Sequence, residues 1–135
     1  MELKPYVFFY GRCEEALNFY KNALGGDYEI MRIKDSPMAN QSPDKGNSVM
    51  HASFNAPGVS FFASDGQDAK SINADEGNIS LALATKDNEG ERVFNALADG
   101  GKVTMPIEDA FWGGKFGIVQ DRFGVEWMIT IGGPF

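Results

Sequence analysis

The stretch QDRFGVEWMI, residues 120–129, decides the fold of this chain. It predicts a strand that ends at Asp121, a tight turn closed by Gly124 and a second strand that begins at Val125. If this second strand lined a metal site, a carboxylate or an imidazole would be needed partway along it. Met128 occupies that position, so the strand carries a thioether where a metal ligand would be expected.

The helix that precedes this hairpin has a counterpart in the first half of the chain. The segments FYKNALGG, residues 19–26, and FNALADGG, residues 94–101, place a phenylalanine at the same distance ahead of a double glycine. Each helix lies within a predicted β-α-β-β-β order, and a period of roughly seventy-five residues is too long for a solenoid repeat. The sequence therefore predicts two fused copies of one unit. The predicted strands are KPYVFFY (4–10), DYEIMRI (27–33), SVMHASFN (48–55), GVSFFASD (58–65), ISLALAT (79–85), KVTMPI (102–107), KFGIVQD (115–121) and VEWMITI (125–131).

Composition limits the possible partners. The chain has 135 residues, of which 43% are hydrophobic, which suits one compact domain. Its 12 basic and 19 acidic side chains give a net charge of -7, which repels nucleic acid and anionic membrane surfaces. The single cysteine allows no intrachain disulfide, and no signal segment or membrane-spanning apolar run is present. These features predict a cytoplasmic protein that binds neither nucleic acid nor membrane.

The order of these pieces resembles the vicinal oxygen chelate superfamily, which includes glyoxalase I, bleomycin-resistance proteins and extradiol dioxygenases. The resemblance is greatest to its PhnB-like branch. It implies an α+β fold in which two β-α-β-β-β modules, about residues 1–66 and 77–135 of a single 1–135 domain, form a curved sheet around a cavity. It also implies a homodimer. The resemblance rests on PYVFFYGRCEEALNFYKNALGG (5–26), VMHASF (49–54), ASD (63–65), ALADGGKVTMPI (96–107) and AFWGGKFGIVQDRFGVEWMI (110–129).

The resemblance also identifies the positions at which metal-dependent relatives bind a divalent ion. Carried over to this sequence, they fall on Pro5, Asn78, Phe61 or Phe62, and Met128. None of these is a usual ligand of a hard or borderline divalent ion. We therefore expect no metal and no cofactor. PhnB-like proteins often carry the label 3-demethylubiquinone 3-methyltransferase, which the residues do not support, because no glycine-rich turn for a nucleoside-bearing methyl donor is present.

His51 is the leading candidate for a functional side chain. Strand alternation places Val49, His51 and Ser53 on one face and Met50, Ala52 and Phe54 on the other, and we expect the first set to face the cavity. Histidine is the side chain that exchanges protons near neutral pH, so His51 is the candidate acid/base residue. The alternative is a histidine satisfied in the core or at its rim.

Other candidate cavity residues each have a structural alternative. Cys13 lies at the start of the first predicted helix, where the helix dipole would favour its thiolate form. The alternative is that its side chain is a small buried hydrophobe. Phe111 and Trp112, in AFWGGKFG, would wall an apolar pocket, or close the core or a dimer interface. Glu126 would lie at the cavity rim beside Met128, or be an exposed strand residue. The complete predicted cavity set is His51, Ser53, Phe61, Phe62, Phe111, Trp112, Glu126, Met128 and Cys13.

Three function classes follow from these observations. The first is a PhnB-like protein that binds a small, partly apolar molecule without a metal, with or without acid/base help from His51. The second is a metal-dependent lyase or dioxygenase of the superfamily. The third is a structural or interaction dimer.

Overall fold

The computed structural model describes residues 2–40, 43–66, 77 and 79–132. The chain divides into two compact units, Met1–Ser71 and Ile72–Phe135. Within the described ranges, neither helix has the length and apolar character that crossing a membrane requires.

The first unit has the order β-α-β-β-β. Its four strands form one mixed sheet in the order β1-β4-β3-β2, in which β1 is parallel to β4 and the other neighbours are antiparallel. Two short 3-10 turns, Ile33–Asp35 and Pro43–Lys45, lie between β2 and β3. The elements are β1 (Tyr6–Phe8), α1 (Cys13–Leu24), β2 (Asp27–Arg32), β3 (Val49–Ala56) and β4 (Val59–Ser64).

The second unit repeats this arrangement. Its sheet has the order β5-β8-β7-β6, with β5 parallel to β8 and two antiparallel neighbours. The predicted α+β class and the tandem order of elements are confirmed. The elements are β5 (Leu81–Thr85), α2 (Asp87–Ala98), β6 (Lys102–Asp109), β7 (Lys115–Gln120) and β8 (Glu126–Ile131).

Helix α1 buries one stripe of small and apolar side chains against the sheet of the first unit. These residues recur at helical spacing, and Tyr20 packs edge-on against Phe54 and Phe61 of the central strands. Glu14 and Glu15 lie in the first turn and Lys21 in the last, where each charge is favourable to the helix dipole. The buried stripe consists of Cys13, Ala16, Leu17, Tyr20 and Ala23.

The repeated double glycine has the same role after both helices. A Cβ atom on Gly26 would lie 2.2 Å from the carbonyl oxygen of Asn55 in β3, and one on Gly101 would lie 2.2 Å from that of Gln120 in β7. The chain leaving each helix thus passes directly against a strand backbone, where only glycine fits. Gly25 has a φ of 79° and open space around it, so it serves the turn alone.

An irregularity in the β2–β3 pairing changes the face on which Val49 lies. Met31 pairs with His51, but the next residue, Arg32, pairs with Val49, so Met50 is the extra residue of a bulge. Val49 is buried, whereas His51 and Ser53 are partly exposed. The prediction that Val49 shares a face with His51 is therefore wrong, because simple alternation does not continue through a bulge.

Two carboxylates, that of the buried Asp121 and that of the partly buried Asp65, form hydrogen bonds at the ends of strands. Asp121 accepts hydrogen bonds from the backbone amides of Phe123 and Val125 and from the indole Nε1 of Trp127, at 2.9 to 3.0 Å. Asp65 accepts bonds from the amides of Cys13 and Val49 at 2.9 and 2.7 Å. Both carboxylates occupy structural positions.

Candidate functional site

The site is built on the side of the first unit's sheet that faces away from α1, here called the open face. In β3, Ala52 and Phe54 are buried, whereas His51 and Ser53 alternate with them and are partly exposed. Cross-strand partners share a face, and Ser53 pairs with Phe62 of β4, which in turn pairs with Tyr6 of β1. His51, Ser53, Phe62 and Tyr6 therefore lie on the open face.

Tyr6 and His51 are in direct contact across β4. The Tyr6 hydroxyl lies 3.2 Å from Nδ1 of His51, and the two ring centroids are 5.6 Å apart. When the hydroxyl donates to Nδ1 of a neutral imidazole, the ring proton resides on Nε2. Nε2 is then the nitrogen that can donate to a bound group, and the tyrosine fixes the orientation of the ring.

Aromatic rings surround this pair. The ring of Phe62 lies 5.1 Å from His51 and 6.2 Å from Tyr6, and the ring of Phe8 lies 5.1 Å from Tyr6. The Lys4 ammonium lies 5.0 Å from the centre of the Phe62 ring, within cation–π range. Because Tyr6 is 42% and Phe8 47% exposed, this apolar surface is open to an incoming molecule.

The sequence missed Tyr6, Phe8 and Lys4 as site residues. The run KPYVFFY was predicted to be a strand over its whole length, but β1 covers only Tyr6–Phe8, and the side chains at its two ends, Tyr6 and Phe8, are exposed. Alternation within the run would have placed Tyr6 and Phe8 on one face. Their position beside His51 depends on the parallel pairing of β1 with β4, which no local pattern reveals.

Phe61 and Cys13 were predicted to line the cavity and lie instead in the core between α1 and the sheet. Phe61 is 3% exposed and stacks on Phe54. Cys13 is fully buried, and burial, followed by the charges of Asp65 and Glu14, raises the pKa of its thiol to about 12. The expected effect of the helix dipole is therefore outweighed, and the thiol is neutral at physiological pH.

The remaining predicted residues belong to the second unit. Met128 pairs with Ala82 and Ile118, on the face opposite the buried Trp127. Glu126 lies on the same face as Met128 and accepts a hydrogen bond from the Ser80 hydroxyl.

Phe111 and Trp112 lie in the connection between β6 and β7. Phe111 is 97% exposed, and its ring lies edge-on to that of Trp112 with 4.8 Å between the ring centroids. The Trp112 ring in turn lies edge-on to that of Phe116, with 5.5 Å between the centroids. These two aromatic residues form an exposed hairpin tip rather than part of the core.

The positions that bind a metal in relatives do not fit one here. Pro5, Phe61 and Phe62 have no side-chain donor, Met128 has only a soft thioether, and Asn78 lies outside the described residues. In the part of the chain that the structure describes, no group of three or more His, Cys, Asp or Glu residues could hold a metal ion.

Comparison with known proteins identifies relatives over nearly the whole chain. The model of the 3-demethylubiquinone-9 3-methyltransferase family matches residues 1–130. Protein YjdN of Escherichia coli K12 is 33% identical over 144 residues, covering 97% of this chain and 95% of YjdN.

Solved structures agree with these matches. Protein PA1353 from Pseudomonas aeruginosa is 36% identical with a TM-score of 0.84 and covers 98% of both chains. The PhnB protein from Bacillus cereus is 28% identical with a TM-score of 0.75, covering 97% of this chain and 99% of its own. A member of the glyoxalase/bleomycin resistance/dioxygenase superfamily from Sphaerobacter thermophilus shares the fold, with a TM-score of 0.60 at 20% identity over 97% and 98% of the two chains.

Proposed function

The chain belongs to the PhnB-like 3-demethylubiquinone-9 3-methyltransferase family, within the glyoxalase/bleomycin resistance/dioxygenase fold, and from this premise we propose that it binds a small, partly apolar molecule without a metal. The binding surface is the open face of the first unit. The observation that carries the proposal is the contact between Tyr6 and His51 at 3.2 Å within an exposed aromatic cluster.

The chemistry of this surface supports a ligand with an apolar body and one polar group. Tyr6, Phe8 and Phe62 offer ring faces and edges to the apolar part, since aromatic rings pack in tilted and stacked arrangements. His51 offers Nε2–H to the polar part while Tyr6 holds Nδ1. A few oriented polar groups in a mostly apolar surface are typical of small-molecule sites.

The same geometry gives His51 an acid/base role if the bound molecule reacts. An imidazole next to a ligand is the group here best suited to proton transfer near neutral pH. The Tyr6 hydroxyl would then act as a positioning group, because it contacts the imidazole and fixes the ring nitrogen that faces the ligand.

Methyl transfer and metal-dependent chemistry are not part of this proposal. Only residues 9–12 join β1 to α1, and Lys86 alone joins β5 to α2. Neither connection has the glycine-rich turn that binds a nucleoside-bearing methyl donor. The side chains at the positions that bind a metal in relatives lack the donors that a lyase or dioxygenase of the superfamily would need. A cytoplasmic location and a homodimer complete the proposal.

The test is a thermal-shift screen of a metabolite library against the wild-type protein and two variants, His51→Ala and Tyr28→Phe. Tyr28 lies on β2, where its hydroxyl donates to Asn18 of α1, so its variant controls for loss of a side-chain hydrogen bond on the helix side of the same sheet. A true ligand raises the melting temperature of the wild type and of Tyr28→Phe, and raises that of His51→Ala less.

Elemental analysis of protein purified without chelator tests the metal-free part of the proposal. We expect substoichiometric zinc, nickel, manganese and iron. Near-stoichiometric metal that is lost when an open-face residue is replaced would refute this part of the proposal. A ligand that raises the melting temperatures of the wild type and His51→Ala equally would refute the assignment of His51 to the binding surface.

A further inference from the structure

Tyr10 follows β1 in a backbone conformation that tyrosine rarely adopts. Its φ is 47°, and within the described residues it is the one non-glycine residue with a positive φ. A bulky side chain in this left-handed region is an outlier that reduces the stability of the fold. The next residue, Gly11, also has a positive φ, of 95°. The chain therefore turns toward α1 through two consecutive left-handed residues.

This turn belongs to a type that normally contains other residues. The amide of Arg12 donates to the carbonyl oxygen of Phe9 at 3.1 Å, so Tyr10 and Gly11 are the two central residues of a β-turn. Positive φ at both central residues is typical of type I′, in which Asn-Gly, Asp-Gly and Gly-Gly predominate. A tyrosine in place of the asparagine, aspartate or glycine departs from this local rule. Such departures are expected where a side chain has a functional role.

The Tyr10 ring extends the aromatic surface of the open face. It lies 6.3 Å from the Phe8 ring, with 24° between the ring planes, and the Phe8 ring lies 5.1 Å from that of Tyr6. The Tyr6 ring lies 5.6 Å from that of His51. Each ring thus contacts the next in a continuous series, here called the aromatic row, that runs from His51 to the partly exposed Tyr10.

Gly66, just after β4, leaves the space that the Tyr10 ring occupies. A Cβ atom on Gly66 would lie 3.2 Å from Cδ1 of Tyr10 and 3.5 Å from Cδ1 of Phe8. The first distance is shorter than a favourable carbon–carbon contact, so a side chain here would displace the Tyr10 ring. The turn and this glycine together keep the ring at the end of the aromatic row.

We propose that Tyr10 is a specificity-determining residue of the open-face site and that the ligand is an elongated aryl compound with at least two rings. This inference rests on the proposed function, in which the polar group of the ligand binds at His51. The second ring of the ligand then packs against Phe8 and Tyr10 in the tilted or stacked arrangements that aromatic rings prefer. A one-ring ligand bound at His51 contacts only the near end of the row.

The test is an NMR titration of the full-length protein with phenol as the one-ring probe and biphenyl-4-ol as the two-ring probe. We expect saturable binding of biphenyl-4-ol, with shifts of the amides in residues 6–11. Tyr10→Asn removes the ring and introduces a residue that tolerates the left-handed conformation. It should weaken biphenyl-4-ol binding about three- to tenfold, as loss of an aromatic contact implies, and leave phenol binding unchanged.

Two further measurements separate a role in binding from a role in folding. Tyr10→Asn relieves the unfavourable backbone conformation, so its melting temperature should equal or exceed that of the wild type. Tyr10→Phe is the matched control, because it keeps the ring and should bind both probes like the wild type. Unchanged affinity of Tyr10→Asn for biphenyl-4-ol would overturn the proposal. So would equal weakening of both probes, or no saturable binding of biphenyl-4-ol to the wild type.

His51→Ala distinguishes failure of this inference from failure of the proposed function. It should weaken both probes, because each carries the hydroxyl oxygen that Nε2–H of His51 is expected to contact. If His51→Ala weakens both probes and Tyr10→Asn weakens neither, the proposed function stands and the role of Tyr10 is refuted. If His51→Ala leaves both affinities unchanged, the proposed function and this inference fail together.

Discussion

His51 has one side-chain hydrogen-bond partner among the described residues, the hydroxyl of Tyr6, and lies in a partly exposed surface of aromatic rings. A histidine in the core would instead be enclosed by apolar side chains, as Phe54 and Phe61 are here. Because His51 lies on the open face, replacing it should change ligand affinity without a large change in the free energy of unfolding.

We predict that His51→Ala weakens binding of a ligand found by the screen roughly three- to tenfold, since a neutral hydrogen bond contributes about 0.5–1.5 kcal/mol. The free energy of unfolding should change by less than about 1 kcal/mol, because the side chain is not a core residue. Isothermal titration calorimetry and urea unfolding check the two parts. Tyr6→Phe should reproduce part of the binding loss. A large loss of stability in His51→Ala, with the affinity of the folded protein unchanged, would contradict the binding role and show that His51 is a structural residue.

Cys13 is the opposite case at the residue scale, a reactive group made inert by its surroundings. Burial and the nearby carboxylates of Asp65 and Glu14 raise its pKa from 9.0 to about 12. The folded state therefore holds the thiol proton more tightly than the unfolded state does. The resulting stability is fully present below pH 9 and is lost as the pH rises toward 12.

We predict that wild-type protein loses stability relative to Cys13→Ala by up to about 1.4 kcal/mol per pH unit above pH 9. Urea unfolding of both proteins at pH 8 and at pH 10.5 measures the difference in unfolding free energy. Titration of the other groups affects both proteins equally and cancels in this difference. At pH 8 a thiol reagent should modify the native protein far more slowly than the protein unfolded in urea. Equal modification rates in the two states would show that the thiol is accessible.

At the scale of elements, the double glycine after each helix determines how closely the helix end can approach the sheet. In the first unit the two glycines differ in a useful way, because Gly25 has φ 79° with nothing near its missing Cβ, and Gly26 has φ 81° with the Asn55 carbonyl 2.2 Å away. A side chain at Gly25 would be disfavoured only by the backbone conformation, whereas a side chain at Gly26 would also clash with the backbone of β3.

We predict that Gly25→Ala costs about 1–3 kcal/mol of stability, because its φ of 79° and ψ of -166° lie in a region that is essentially restricted to glycine. Gly26→Ala should cost clearly more, roughly 3 kcal/mol or above, because the backbone of β3 has to move as well. Urea unfolding of both variants gives the comparison. In the second unit, Gly101→Ala should likewise exceed Gly100→Ala, whose nearest neighbour is the flexible Arg122 side chain. Equal costs within each pair would contradict the steric explanation.

The elements were predictable from the sequence because their signals are local. The stripe from Ala16 to Ala23 and the double glycines predict α1 and its end, and the tandem order predicts the fold. The bulge at Met50 was not predictable, since it depends on the register of two strands. The same holds for the contact of Tyr6 with His51, which joins strands that are neighbours only through β4, and for the burial that raises the Cys13 pKa.

At the scale of the whole molecule, large exposed apolar side chains occur in both units. Apart from Tyr6 and Phe8 of the proposed ligand surface, they include Met31 in the first unit and Met105, Phe111 and Trp112 in the second, with exposed fractions from 39% to 97%. Exposed apolar surface of this kind is typical of interaction sites. It supports the homodimer that the family likeness implies.

We predict a mass of about twice the 14.8 kDa chain by light scattering at micromolar concentration. Phe111→Ser should shift the protein toward the monomer if the hairpin tip takes part in the interface. Leu3→Ser is the control, because Leu3 is 89% exposed and lies near the amino terminus. A monomeric wild-type protein at these concentrations would contradict the prediction.

The parallel pairing of β1 with β4 has a consequence for the order in which the first unit is assembled. The hairpin of β3 and β4 closes across Pro57 and Gly58, whereas β1 has to wait for the last strand of the unit before it has a partner. Contacts that close long loops form slowly, so we expect β1 to dock late both in refolding and during synthesis on the ribosome. Because Tyr6 lies on β1, His51 acquires its partner only at that step, and a chain caught beforehand exposes the unpaired edge of β4 to aggregation.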